Sequence, residues 1–333
     1  MRLMLDVDFV TDCPDPLWRQ LPGGDHEHAG CRYRLRPAEP RGDVCVVYHD
    51  VPEPVTVESR HGLIVLVTIE PEILTSFYPP AFLKQFDAVL TFRRDLKHPH
   101  VVVAPPMIPW WVGVSGGHDA ERRVNLVYED LQRPVPDHEK TRGCSVICSS
   151  LAHTPTHRAR LSFVDELCER LPAIDRYGFG HRPVQDKWEA LQHYRAHVAI
   201  ENSSCPDYWT EKAGDAFLSE SFLIYAGCPN LEDYFPPEAF ARVDLNDVEA
   251  AVALVERVSD PGFYAERRDA IREAKRLVLE KYNLFTDLAG RLRSLERRPA
   301  CRRRVCPQSW YRGSLRKRIR RRLRSRFQRA ASS

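Results

Sequence analysis

Short runs of apolar, often β-branched residues alternate along the chain with segments whose apolar positions recur every three or four residues. That alternation is the pattern of βα units around a parallel sheet. In the first half it predicts strands over 44–48, 62–69, 88–92 and 124–128, with a Pro-rich stretch over 104–111. The polar, proline-bearing segment 133–142 reads as a linker. Beyond it the pattern predicts strand 145–149, helix 156–171, strand 174–177, helix 186–194 and strand 197–201. Helix 210–219, strands 222–225 and 241–245, helix 247–258 and two further helical stretches to about 296 complete the series. Leu161, Val164, Leu167 and Leu171 would share one helix face.

A chain of 333 residues exceeds what one hydrophobic core usually organises, so two lobes are expected. The division expected is 1–140, 141–298 and a basic tail over 299–333. Hydrophobic content of 43% and charged content of 29% are ordinary for globular proteins. No run approaches the ~18 apolar residues of a membrane-spanning helix. The opening residues carry Asp6 and Asp8 where an export leader would be basic, and the ten cysteines show no regular framework. A cytoplasmic setting with reduced thiols is therefore expected. Charge is unevenly placed: residues 301–333 hold thirteen Arg or Lys and no acid, leaving −10 on residues 1–300.

The dinucleotide fingerprint G-x-G-x-x-G and the phosphate-loop pattern G-x-x-x-x-G-K-[ST] are both absent. What carries chemistry is the run from Ala199 to Phe217, which puts Glu201 and Asn202 at the end of a predicted strand, then a turn, then a helix. Thr210 suits the N-cap, and Glu211 and Lys212 fall in the first turn. A helix start with an adjacent lysine suits a diphosphate. By spacing alone, the run is equally an ordinary βα turn with a surface Glu and Lys.

Glu201-Asn202-Ser203, Asp207-Tyr208 and Thr210-Glu211-Lys212, followed by Phe235-Pro236-Pro237 and Phe240, resemble the signature of the α-1,3-fucosyltransferases, glycosyltransferase family 10. Lys187, Tyr194, Arg195, Val243 and Asp244 also resemble family positions. The resemblance implies a GT-B fold: two Rossmann-type α/β/α lobes facing across a cleft, the first on the acceptor side and the second binding a GDP-sugar. It implies inverting transfer of fucose from GDP-fucose to a glycan hydroxyl, such as the 3-OH of GlcNAc or a similar residue, with lipopolysaccharide O-antigen as the expected acceptor. Glu70, which ends the hydrophobic run Val67-Thr68-Ile69, matches the family's general base. Glu211 joins it as a catalytic candidate; Glu201, Asn202, Tyr208, Thr210 and Lys212 are the donor-binding candidates. No cofactor is required, leaving room only for non-essential stimulation by Mn2+ or Mg2+. One departure stands out. The family pattern has an arginine after the glycine where this chain has Gly178-Phe179, and Arg182 is the expected substitute, ahead of Arg176 and His181.

Asp6-Val7-Asp8 has the form of a metal-holding D-x-D but reads better as part of a strand edge. His26, His28 and Cys31, like Cys144 and Cys148, lack a second ligand pair for zinc. In the tail, Leu315, Ile319, Leu323 and Phe327 would form a narrow apolar stripe on a cationic helix. That favours an anionic membrane surface, hence a peripheral position on the inner face, over a solvated disordered tail or nucleic acid. Transfer of another GDP-deoxysugar, or glycan binding without catalysis, are the competing functions.

Overall fold

The computed structural model describes residues 4–13, 16–24, 26–71, 78–116, 122–150 and 155–312. The chain forms two units, one of residues 1–14, 30–104 and 295–333, the other of residues 15–29 and 105–294.

In the first unit, strands β1 (Leu5–Thr11), β2 (Cys31–Leu35), β3 (Arg41–Tyr48), β4 (Val55–Val67), β5 (Ala88–Thr91) and β6 (Val101–Val103) form a parallel sheet. They lie in the order β2-β1-β3-β4-β5-β6. The apolar runs Val44–Tyr48 and Leu63–Val67 are buried without alternation, as strands covered on both faces must be. Among the described residues the helical turns of this unit are short, such as Pro80–Leu83.

The second unit contains β7 (Arg142–Ile147), β8 (Asp175–Tyr177), β9 (Tyr194–Ile200), β10 (Phe222–Ala226) and β11 (Phe240–Arg242). All pair in parallel, in the order β8-β7-β9-β10-β11. Helices α1 (Pro155–Arg170), α2 (Glu211–Leu218), α3 (Val248–Val258), α4 (Pro261–Glu280) and α5 (Leu284–Ser294) complete it. By order of entry the strands run second, first, third, fourth, fifth. The chain therefore reverses direction between β7 and β9, and their carboxyl ends frame the crevice where ligands gather in such sheets.

Several expectations change, among them strand 124–128, where only Arg123–Val124 is extended and Tyr128–Gln132 is helical. The linker at 133–142 does not divide the units: Pro105 already belongs to the second, because Trp110 and Val112 pack in its core. The helix expected over 186–194 is a single 3-10 turn, Lys187–Ala190, since β9 begins at Tyr194. The tail does not start at 299. Cys301–Val305 forms β12, antiparallel to Val55–Ser59 of β4, with Val305 fully buried. The run of arginines hid the strand, but acids receive them: Arg298 and Arg303 bond Asp87, and Arg302 pairs with Glu58. The stripe from Leu315 to Phe327 lies outside the described residues.

Candidate donor-binding site

β9 ends by delivering Glu201 to the crevice, and the following loop returns to α2. Glu201 is the clasp of that loop. Its carboxylate accepts the Thr210 N–H at 2.9 Å, the Thr210 hydroxyl at 2.8 Å and the Tyr225 hydroxyl at 3.3 Å. Gly227 makes room, because a Cβ there would sit 2.5 Å from the Glu201 Cγ. Asp207, at φ 65°, is fixed by Asn230 and the Tyr234 hydroxyl. Trp209 packs edge-on against Phe235 and Tyr282, and Tyr208 is buried. The loop is thus set by its own buried side chains.

Thr210 caps α2 as expected, its hydroxyl accepting the Lys212 N–H. That hydroxyl therefore occupies one of the backbone donors the sequence had offered to a diphosphate. Lys212 Nζ stands 3.4 Å from a Glu201 oxygen and 3.3 Å from a Glu211 oxygen. Glu211 also meets Lys187 Nζ at 3.5 Å, and Lys187 lies 3.0 Å from Asp215. Asp215 in turn accepts the Trp111 and Val112 N–H groups. Burial opposes the charge on Glu211, but Lys212 and Lys187 outweigh it and hold the carboxyl at about 2. Burial likewise opposes the Lys212 ammonium, and Glu211 and Glu201 overcome it and raise its pKa. Glu201 moves the other way: burial pushes it up despite Lys212.

Lys187, Glu211, Lys212 and Asp215 line a cavity of ≈ 290 Å³ together with Arg160, Gly178, Phe179 and His197. Gly178 has φ 122°, and a Cβ there would meet the Cys148 carbonyl at 2.7 Å. Arg160, on α1, donates from Nη1 to Asn202 Oδ1 at 2.9 Å and has no carboxylate partner among the described residues. A second cavity of ≈ 610 Å³ is lined by Glu201, Tyr225, Arg242, Asp244 and Asn246, among others.

Of the expected residues, Glu211 and Lys212 line the first cavity and Glu201 the second, while Asn202 holds Arg160. Thr210 and Tyr208 belong to the scaffold of the loop. Arg182 lies elsewhere among the described residues: it stacks on the Tyr177 ring and bonds Asp175 at 3.1 Å, with its side chain 58% exposed. Arg176 is taken by Asp165. The sequence reading assigned no role to Arg160, Asp215 or His197. Arg160 precedes the motif by some forty residues, and only the reversal between β7 and β9 brings α1 beside it. In the first unit, Glu70 follows β4; burial pushes the Tyr78 hydroxyl up and the charge of Glu70 adds to it, while at His49 burial lowers the pKa and Asp12, then Glu70, overcome it. Asp8 serves the sheet, accepting Arg34 at 2.6 Å and the Gly42 N–H at 2.7 Å.

A model of glycosyltransferase family 10 (fucosyltransferase), C-terminal part, matches residues 138–261. Residues 138–261 are a glycosyltransferase family 10 domain. Both cavities are lined entirely by residues of this family 10 domain. A putative fucosyltransferase-like protein of Arabidopsis thaliana is 30% identical over 126 residues, 36% of this chain and 24% of the relative. The α-(1,3)-fucosyltransferase B of Drosophila melanogaster is 35% identical over 118 residues, 30% of this chain and 26% of the relative. The matched stretches thus span about a quarter of these relatives' length. A crystal structure of an α1,3-fucosyltransferase with GDP-fucose aligns at 16% identity and a TM-score of 0.48, covering 79% of this chain and 81% of that one.

Proposed function

We propose that the protein is an inverting fucosyltransferase that moves L-fucose from GDP-fucose to a glycan hydroxyl. The observation that carries this reading is the cluster of Arg160, Lys187 and Lys212 around one cavity at the strand reversal of a family 10 domain. A nucleoside diphosphate brings the negative charge that Arg160 lacks a carboxylate to balance. Glu211 and Asp215 hold the lysines in place before the ligand arrives, so little reorganisation accompanies binding.

In the reaction, Glu70 accepts the proton of the attacking hydroxyl as its oxygen bonds to the anomeric carbon. The bond from that carbon to the β-phosphate oxygen breaks, and GDP leaves with the electron pair. Charge grows on the leaving oxygen, where Arg160 and Lys212 stabilise it. Glu211 offsets positive charge developing on the sugar. The positive charge comes from side chains, so no resident metal is called for, and EDTA should leave turnover unchanged.

The acceptor we favour is the 3-OH of GlcNAc or a similar residue in a lipopolysaccharide chain. The basic stretch 313–333, with nine of the thirteen tail cations, would hold the enzyme at an anionic inner-membrane surface from the cytoplasm. Among the described residues, no helix is long and apolar enough to cross a membrane. Incubation with GDP-fucose, other GDP-deoxysugars and an acceptor panel, read by mass spectrometry, tests the reading. Absence of both transfer and GDP binding would overturn it.

A further inference from the structure

His197 lies in β9 and lines the first cavity, and its residue is 4% exposed. The hydrogen bonds behind it fix its tautomer. Ser145 donates its hydroxyl proton to the Ala190 carbonyl at 2.7 Å, and a hydroxyl has only one proton to give. The 2.9 Å contact between Ser145 Oγ and His197 Nδ1 must then run the other way, with Nδ1–H as donor. Burial, reinforced by Lys187 and Lys140, pushes the imidazole pKa down to about 3, so the ring is neutral at working pH. Nε2 is consequently a bare acceptor. It has no hydrogen-bond partner among the described residues, and its residue lines the cavity.

This acceptor is out of character with its surroundings. Lys187, Lys212 and Arg160 present donors, while Glu211 and Asp215 are engaged by lysines or backbone N–H groups. A phosphate oxygen suits those cations but is itself an acceptor and would oppose the Nε2 lone pair. A ligand filling the cavity must therefore bring a donor to this one position while its anionic part meets the cations.

We propose that His197 Nε2 accepts a hydrogen bond from a hydroxyl of the bound sugar nucleotide, on the ribose or on the transferred sugar, and so selects for that hydroxyl. Ser145 is the positioning residue that fixes the tautomer. The inference rests on the donor reading above.

The test is titration of GDP, 2′-deoxy-GDP, 3′-deoxy-GDP and GDP-fucose into wild-type protein, His197→Phe and His197→Gln, with folding checked by circular dichroism. Glutamine can return an acceptor oxygen and is the control for packing. Leaving a buried ligand donor unpaired should weaken GDP-fucose by about tenfold in His197→Phe, with recovery in His197→Gln. If the hydroxyl is the ribose's, GDP weakens equally and one deoxy-nucleotide becomes indifferent to the substitution. If it is the sugar's, GDP binds both variants like wild type. Nitrogen NMR of wild-type protein should find Nδ1 protonated and Nε2 bare, and Ser145→Ala should release that preference. Affinities within twofold of wild type for GDP and GDP-fucose in His197→Phe, or a protonated Nε2, would overturn the inference and leave the donor reading standing. Wild-type protein that binds neither nucleotide would overturn both.

Discussion

Replacing Lys212 with alanine tests stability and binding in one variant. Lys212 and Lys187 hold Glu211 at about 2 against an ordinary 4.5, worth about 3 kcal/mol in favour of the folded, ionised form. An unfolded glutamate titrates near ~4.3, so this contribution is complete above that pH and fades as pH falls through the folded value. In Lys212→Ala, Glu211 keeps only Lys187, which is already committed to Asp215 at 3.0 Å. We expect a loss of about 2–3 kcal/mol at pH 7, below that of a wholly buried pair because Glu201, already pushed up by burial, can take on a proton. Acidification then weakens the wild type and relieves the variant. Urea unfolding at a series of pH values should show the two curves converging between neutrality and about pH 3.5. A constant offset across that range would refute the electrostatic account.

The same variant should bind GDP poorly. A cation about 4 Å from a phosphate contributes roughly 4 kcal/mol at an effective dielectric near 20, and the flanking carboxylates reduce this to about half, or ~30-fold in Kd. Isothermal titration measures it. The double variant Glu211→Gln/Lys212→Ala separates the two effects: stability should return toward wild type while GDP affinity stays low. GDP binding within twofold of wild type in Lys212→Ala would remove this lysine from the donor site.

Glu70→Gln should keep GDP affinity and lower kcat by ~10²–10⁴-fold, since the amide cannot accept the proton; a loss under about threefold in a transfer assay would exclude Glu70 as base. Arg160→Ala should weaken GDP by about tenfold or more but GMP much less, because the guanidinium is assigned to the diphosphate; equal losses by titration would argue for a packing role. Ending the chain after Arg312 should leave stability unchanged and abolish sedimentation with anionic vesicles. Ending it after Pro299 should instead cost more than ~3 kcal/mol, since it removes β12, the buried Val305 and the Arg303 bond to Asp87.

The second unit was largely legible in the sequence because most of its strands carry a short apolar core, such as Phe222–Ala226, and helices such as Val248–Val258 carry an apolar stripe. Strand 222–225, for example, is observed as Phe222–Ala226 and helix 247–258 as Val248–Val258. The first unit was less so. β1 mixes Asp6 and Asp8 into its strand, and these acids are met there by Arg60 from β4, Arg32 and Arg34 from β2, and the Gly42 N–H. β12 is similar, with an arginine run that becomes a strand once Glu58 and Asp87 are beside it. No local propensity announces such pairs, since each is made by residues far apart in the chain.

The site shows the same division between local and distant information. The motif from Glu201 to Lys212 marks the place, but much of it is scaffold. Glu201, Asp207, Tyr208, Trp209 and Thr210 spend their polar and aromatic groups on closing a ten-residue loop, leaving Glu211 and Lys212 to face the first cavity. The remaining lining comes from other elements: Arg160 from α1, Lys187 from a 3-10 turn, and His197 from inside β9. Each residue type is unremarkable where it stands. Arg160 becomes informative only when its partner is seen to be the Asn202 amide, and His197 only when the Ser145 hydroxyl is seen to be spent on a carbonyl. Both signals are unmatched hydrogen-bonding or charge capacity, which belongs to the packed arrangement and has no counterpart in the order of residues. Phe179 fits this logic. It lines the cavity, is 71% exposed and carries no charge, so under the proposed donor reading Arg160 and Lys212 would have to meet the anion.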